Sequence, residues 1–239
     1  MSKNVKHGFL LIHKPAGISS FGCIAHLKKF TGKTVKIGHA GTLDPFASGL
    51  LIIGLGREFT RELASVAATD KTYVAMGKLG ELTDTLDCTG SVADEQISSV
   101  TEENLRRVIG LFGSSYEQIP PLYSALKYKG KPLYKLARQE ALDQQTVDFI
   151  VAIKKRMVEI HELDLLSFNF PFFTIRARVS HGTYIRSLVN DIAVAAGSCA
   201  TTYELERSSI GQFCISQAIE PRDIQGVDDI NRFLVTLHR

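Results

Sequence analysis

The sequence predicts an α+β fold, with a mainly antiparallel central sheet and flanking helices. Strand-like and helical segments follow each other without a steady β-α-β alternation. One late segment shows a strict period of two, with apolar residues on one face at Phe173, Ile175, Ala177 and Val179. Such a pattern is typical of a strand that covers a core with one face.

Apolar spacing and turn residues place the elements in chain order. Strands are predicted over residues 9–12, 50–55, 72–77, 147–160 and 172–180. Helices are predicted over residues 20–30, 60–68, a segment after Thr101, 132–140 and 183–196. Ser19 or Ser20 caps the first helix, Pro132 opens the fourth and Gly197 ends the last.

The composition allows one large domain or two small ones and sets few limits on function. The 239 residues carry a formal net charge of +3, which is compatible with an RNA partner. A basic stretch interleaves aromatic residues with Lys127, Lys129 and Lys131, and an RNA-binding surface and a solvated face explain it equally well. Four scattered cysteines lack zinc-site spacing and indicate reduced thiols in a cytoplasmic protein. No apolar run is long enough to predict a membrane span.

Residues 38–46, which read GHAGTLDPF, are the most informative part of the chain. Gly38 and Gly41 allow backbone angles that are closed to other residues, and Pro45 keeps Asp44 out of the α region. The result is a stiff turn that presents one carboxylate. On this pattern alone, Asp44 is either a structural turn residue or a nucleophile.

The turn resembles the catalytic motif of the TruB family of pseudouridine synthases, which isomerise uridine in the T loop of tRNA. The resemblance continues in the family's order from about residue 8 to residue 215, through segments 14–20, 71–75, 83–87, 120–127, 182–186 and 205–213. It implies a tRNA pseudouridine-55 synthase that flips its target base and uses an aspartate nucleophile. No cofactor and no metal are expected, because the reaction is neither a redox step nor a phosphoryl transfer.

The resemblance assigns three catalytic residues. Asp44 is the nucleophile, at either C1′ of the ribose or C6 of the uracil. Tyr73 stacks on the uracil and is the candidate general base. Arg186 pairs with Asp44, since a guanidinium keeps a nearby carboxylate ionised and oriented.

Five further residues are assigned to substrate binding. Tyr184 and Leu205 line the uracil pocket, although core packing is a serious alternative for both. His39 fills the gap left by the flipped base, or else braces the turn with a ring N–H. Asp87 belongs to the cleft wall, and Lys14 is expected to support the catalytic loop through backbone oxygens.

Two departures from the family pattern limit what the resemblance implies. Glu206 stands where the family commonly has arginine, which predicts weaker and less salt-sensitive RNA binding. Residues 1–214 are predicted to form the catalytic domain, and residues 215–239 a short extension, too short for the family's PUA domain, with one or two helices. The expected partner is the T arm of tRNA, bound by a monomer without an obligate protein partner.

Three other functions are considered. The chain could be an RNA-binding or tRNA-folding protein whose isomerase activity is incidental or absent. Asp84 and Asp87 could hold Mg²⁺ in a phosphotransferase, but no P-loop pattern accompanies them. A guide-RNA-directed synthase is a further relative, and the short C-terminal region argues against it.

Overall fold

A computed structural model describes residues 4–32, 35–96, 99–139 and 143–235 of the chain. The helices are α1 (Ser20–Thr31), α2 (Arg57–Ala67), α3 (Glu102–Leu111), α4 (Leu133–Arg138), α5 (Gln144–Lys154), α6 (Ile185–Ala195) and α7 (Val227–Phe233). The strands are β1 (Gly8–Lys14), β2 (Ile37–Ala40), β3 (Ser48–Leu55), β4 (Lys71–Leu79), β5 (Glu81–Thr83), β6 (Val92–Glu95), β7 (Ser115–Gln118), β8 (Lys127–Tyr128), β9 (Lys131–Pro132), β10 (Arg156–Asn169), β11 (Phe172–Val179), β12 (Ala200–Ile210), β13 (Phe213–Cys214) and β14 (Leu234–Val235). Short 3₁₀ turns follow at Ile215–Gln217 and Pro221–Asp223.

The chain divides into two units. The first unit comprises Met1–Val74 and Leu205–Arg239, and the second comprises Ala75–Glu204. The division falls inside β4 and inside β12, so each of these strands contributes residues to both units.

In the first unit, helices cover both faces of a sheet with the strand order β14-β1-β3-β12. On one face, Leu10 and Ile53 join a core cluster that includes α1 and Ile230 of α7. On the other face, Phe9 and Ile52 pack in a cluster that includes α2. Burial on both sides explains why β1 and β3 read as continuous apolar runs and not as alternating ones.

The C-terminal segment belongs to the core of the first unit. Antiparallel pairing sets Val235 of β14 opposite Phe9 and Leu234 opposite Leu10. Ile224 and Ile230 are almost fully buried in the same cluster as α1. One short α-helix, α7, lies in this segment as predicted, whereas the strand β14 was not predicted; a domain division at residue 214 stays a prediction.

In the second unit, the strand order is β4-β11-β10-β7, with the side hairpins β5–β6 and β8–β9. The four alternating residues of β11 are all buried, as predicted: Phe173, Ile175, Ala177 and Val179. Helix α6 places Leu188, Val189 and Ile192 in the interior. The α+β class is confirmed, and antiparallel pairing dominates, although β12 pairs with β3 in parallel.

Two sequence-based predictions are wrong at least in part. Most of the strand predicted over residues 147–160 is the helix α5, and only residues 156–160 lie in a strand, β10; the carboxylate of Asp143 accepts the Thr146 N–H at 2.7 Å and starts the helix. Within α5, Ile150 is buried, whereas Phe149 and Ile153 are exposed. Helix α2 begins at Arg57 and not at residue 60, because Gly56, with φ of 92°, ends β3 directly before it. The predicted end of α4 near residue 140 lies outside the described residues.

Gly77 is required where α6 packs on β4 in the second unit. A methyl group at Gly77 would lie 2.6 Å from Cε1 of Phe173 and 2.7 Å from Cγ1 of Val189. Gly77→Ala is therefore expected to lower the free energy of unfolding by about 1–3 kcal/mol through overpacking. Gly110→Ala is the control, because nothing lies within 4 Å of the added methyl group there; the helical position should gain up to about 1 kcal/mol. Urea unfolding measures both variants, and a neutral Gly77→Ala would contradict this packing.

Candidate active site

In the first unit, Asp44 lies in the turn between β2 and β3 and is half-buried. Ser20, at the start of α1, binds both the N–H and the carbonyl of the neighbouring residue Leu43. The Leu43 N–H donates to Ser20 Oγ at 2.9 Å, and this hydroxyl donates to the Leu43 carbonyl at 3.1 Å. Ser20 thus restrains the backbone immediately before the carboxylate. It was predicted only as a possible helix cap, and the cap is Ser19, which accepts from the Gly22 N–H.

Lys14 binds the backbone of the same turn directly after Asp44. Its side chain is fully buried, and Nζ donates to the carbonyls of Pro15, Ile18 and Pro45 at 3.0, 2.8 and 3.4 Å. Burial lowers the pKa of Lys14 to about 8, while the charge of Asp44 opposes this shift. The ammonium therefore has the expected contacts with backbone oxygens, and a direct contact with substrate stays a prediction.

Arg207 binds the backbone before and after the Asp44 turn, and it was not assigned a role from the sequence. It is fully buried in β12, where Nε donates to the Leu50 carbonyl at 2.8 Å and Nη2 to the Gly41 carbonyl at 3.0 Å. A close backbone approach makes this possible, because a Cβ at Gly49 would lie 2.4 Å from the Arg207 nitrogen. The residues 205–207 were recognised as a motif, but nothing in the sequence indicated which carbonyls the guanidinium reaches.

The two glycines of the turn act differently. Gly41 has φ of 74°, in the region that favours glycine, as predicted. Gly38 lies inside the extended strand β2, so the prediction of a special backbone angle there is wrong. A side chain at Gly38 would meet Cδ1 of Leu63 at 3.0 Å, so close packing against α2 is the reason for glycine at this position.

The other predicted residues of the first unit are buried or half-buried. Tyr73 in β4 and Leu205 in β12 are 9% and 7% exposed. His39 in β2 is half-buried, and its Nδ1 has no hydrogen-bond partner among the described residues. Burial, assisted by the charge of Arg207, lowers the pKa of His39, so the ring is neutral at pH 7. Lys71 caps the end of α2 through the carbonyls of Ala67 and Thr69.

In the second unit, Arg186 lies in the first turn of α6 and is 3% exposed. Nη1 lies 3.2 Å from Oδ2 of Asp87 and also donates to the Thr85 carbonyl. Nη2 donates to the Tyr123 carbonyl at 2.8 Å. A cation at a helix start opposes the helix dipole, and the Asp87 carboxylate compensates for this.

Asp87 is itself held by its own loop. Oδ1 accepts hydrogen bonds from the hydroxyl of Thr85 and from the backbone N–H of Thr89, both at 3.0 Å. Asp87 therefore holds Arg186 in place, and its assignment to substrate binding stays a prediction. The pairing of Arg186 with Asp44 also stays a prediction.

Tyr184 precedes α6 as its N-terminal cap residue and is half-buried. The guanidinium of Arg156 lies over its ring, 4.8 Å from the centroid. Such a cation–π contact restrains the ring while leaving it usable as a flat apolar surface.

The two carboxylates considered for Mg²⁺ have structural partners. Asp84 accepts hydrogen bonds from the Tyr123 hydroxyl at 3.1 Å and from the Ser91 N–H at 2.9 Å. No group of three or more His, Cys, Asp or Glu side chains in the described part of the chain is arranged to hold a metal ion. Likewise, none of the helices described has both the length and the apolar character needed to cross a membrane.

Comparison with known proteins identifies the family. The family model described as TruB family pseudouridylate synthase (N terminal domain) matches residues 28–185. The tRNA pseudouridine synthase B of Protochlamydia amoebophila (strain UWE25) is 38% identical over 228 residues, which are 95% of this chain and 83% of that protein. The chain belongs to the TruB family of pseudouridylate synthases. The expected enzyme class, an isomerase that forms pseudouridine, is thereby confirmed.

Two further comparisons, one with a relative and one with a solved structure, agree. Pseudouridylate synthase TRUB1 of Mus musculus is 37% identical over 243 residues, covering 95% of this chain and 70% of that protein. A crystal structure of a Cbf5–Nop10–Gar1 complex contains a chain with a TM-score of 0.69 and 26% identity. That match covers 95% of this chain and 58% of the other chain, and it supports the predicted fold.

Asp87→Ala would remove the carboxylate that lies 3.2 Å from Nη1 of the buried Arg186 guanidinium. Breaking a buried ion pair in this way is expected to lower the free energy of unfolding by about 3–5 kcal/mol. Asp84→Ala is the matched control, because it lies three residues away and holds no arginine among its described contacts. Urea unfolding compares the two variants. Equal losses in the free energy of unfolding would show that the Asp87–Arg186 ion pair does not stabilise the fold.

Proposed function

We propose that this TruB protein isomerises uridine 55 of the tRNA T loop to pseudouridine, with Asp44 as the nucleophile. The observation that carries the proposal is the support of the Asp44 turn. Lys14, Ser20 and Arg207 restrain its backbone on both sides of the carboxylate, which itself is half-buried and not fully enclosed. A nucleophile held in one position reacts without the entropic cost of finding that position.

The reaction breaks an N-glycosidic bond, turns the uracil and rejoins it through C5. The composition of the nucleoside does not change, so neither an oxidant nor a phosphoryl donor is consumed. The Asp44 carboxylate would either attack C1′, release the uracil at N1 and be displaced as C5 bonds to C1′, or add to C6 and be eliminated after the C5–C1′ bond has formed. Tyr73 would stack on the uracil and accept the C5 proton, and the Arg186 guanidinium would supply positive charge for the anionic steps.

The pocket residues follow the same proposal. Tyr184, restrained by Arg156, and Leu205 would offer apolar surfaces to the planar uracil. His39 would occupy the space left by the flipped nucleotide, and its neutral ring suits contact with bases. Substrate contact by Lys14 and Asp87 is indirect in this proposal, through the turn and through Arg186.

RNA contact is supported by the hairpin β8–β9. Its lysines Lys127, Lys129 and Lys131 are exposed, and the ammonium of Lys129 lies 5.3 Å from the ring centroid of Tyr128. Cations beside an aromatic ring suit phosphate contact and base stacking.

We further propose that the chain acts in the cytoplasm as a monomer without an obligate protein partner. Its substrate would be the T arm of tRNA, whose shape it would recognise.

Asp44→Asn should abolish pseudouridine formation and leave tRNA binding nearly unchanged, because the amide keeps the shape of the carboxylate but is a poor nucleophile. The test incubates the purified chain alone with an unmodified tRNA transcript, maps pseudouridine by position and measures binding separately. Product from Asp44→Asn at the wild-type rate would contradict the proposed nucleophile. Wild-type binding without product would favour an RNA-folding protein, and full wild-type activity in excess EDTA would exclude the Mg²⁺-dependent alternative.

Glu206→Arg restores the charge common in the family at a half-buried position of β12. It should strengthen tRNA binding and steepen the dependence of log K on log salt by about 0.9 for one additional phosphate contact. Glu103→Arg makes the same charge change at an exposed position of α3 and serves as the control. Binding titrations over a range of salt concentrations decide; no gain beyond that of the control would refute a phosphate contact at position 206.

A further inference from the structure

Helix α6 begins without a side-chain cap of its own, and Gln118 binds its cap residue instead. Gln118 is the last residue of β7 and is fully buried. Its Oε1 accepts the Tyr184 N–H at 2.8 Å, and its Nε2 donates to the Tyr184 carbonyl at 3.0 Å. One side-chain amide therefore fixes both polar groups of the Tyr184 backbone, two residues before Arg186.

The orientation of this amide is set by two further buried groups. The second N–H of Gln118 donates to the Tyr116 hydroxyl, which in turn donates to Oδ2 of Asp191 at 3.1 Å. Because the Tyr116 hydrogen is directed at Asp191, only the lone pairs of its oxygen face Gln118. A reversed amide would set its oxygen against those lone pairs and its N–H against the Tyr184 N–H, so one orientation is strongly preferred.

The protonation states agree with this direction of donation. Burial raises the pKa of Asp191 to about 6, so its carboxylate is mostly ionised at pH 7 and accepts. Burial raises the pKa of Tyr116 far above neutrality, with the Asp191 charge adding to the shift, so the hydroxyl keeps its proton.

A separate contact already joins the segment after β7 to α6. Ser187 Oγ donates to the Ile119 carbonyl at 2.8 Å, and the apolar face of α6 is buried in the core. Attachment of the helix therefore does not depend on Gln118 alone. Gln118 additionally fixes the orientation of the Tyr184 backbone. The side chains of Tyr184 and, two residues later, Arg186 extend from this part of the backbone.

We propose that Gln118 is a positioning residue for the isomerase reaction: oriented by Tyr116 and Asp191, it fixes the start of α6 and thereby the ring of Tyr184 and the guanidinium of Arg186. This inference rests on the proposed function. It requires that the loss of the amide affects the chemical step more than the binding of RNA, since the bulk of the surface is unchanged.

The test measures single-turnover pseudouridine formation and tRNA binding separately. Gln118→Met keeps the length and volume of the side chain but removes all three hydrogen bonds. A misplacement on the order of 1 Å can cost about 100-fold in rate, so we expect a loss approaching that size. The Kd for tRNA should stay within about threefold of wild type, less than 1 kcal/mol. Tyr116→Phe, which removes only the group that orients the amide, should give a smaller loss in the same direction.

Asn190→Ala is the matched control, because it lies on the same helix and its Oδ1 accepts the Ala200 N–H at 3.1 Å. It should lower the melting temperature without lowering the single-turnover rate. If Gln118→Met does not fold, Tyr116→Phe is compared with this control instead. A rate equal to wild type in the tested variant, or an equal loss in Asn190→Ala, overturns the inference. A wild-type chain that forms no pseudouridine overturns the proposed function and this inference with it.

Discussion

The buried cations of the first unit, Lys14 and Arg207, are the constraint on which the candidate site depends. Each is withdrawn from water, which costs several kcal/mol unless the lost hydration is replaced. Backbone carbonyls replace it: three for Lys14, and those of Gly41 and Leu50 for Arg207. A cation that needs these particular oxygens also holds the backbone that carries them. The turn bearing Asp44 is therefore restrained by the requirement to solvate two charges, in addition to the stiffness of its own residues.

The second unit follows the same logic with a different partner. Arg186 is buried at a helix start, where the dipole is unfavourable for a cation, and the Asp87 carboxylate and two carbonyls make the position tolerable. Groups arranged before the reaction do not have to reorganise during it, which is the main advantage of an enzyme over water. In both units, the polar groups that support the proposed chemistry are more deeply buried than Asp44 itself.

The local sequence pattern predicted the secondary structure correctly wherever buried residues recur at the period of a strand or a helix. The alternation in β11 and the capped helices α1 and α3 appear as predicted, because one face of each is buried and the signal is local. Helix α5 lies in a segment that was predicted as a strand, and the Asp143 cap and the burial of Ile150 favour the helix. The role of Gly38 was misjudged because its neighbour Leu63 lies in a helix distant in sequence.

By itself, the sequence determined the α+β class through its strand and helix patterns, and it determined the TruB family and the residue types that the chemistry needs through its order of motifs. These depend on which side chains are present and at what spacing. It could not determine what Arg207, Asp87 and Gln118 do. Their roles consist of hydrogen bonds to backbone atoms or charges that are tens to more than a hundred residues away in the chain, as between Arg207 and Gly41. Sequence spacing carries no information about which carbonyl a buried charge will reach. Only the folded chain decides that, because the pairing is imposed by burial: each polar group taken out of water must find a partner within hydrogen-bonding distance.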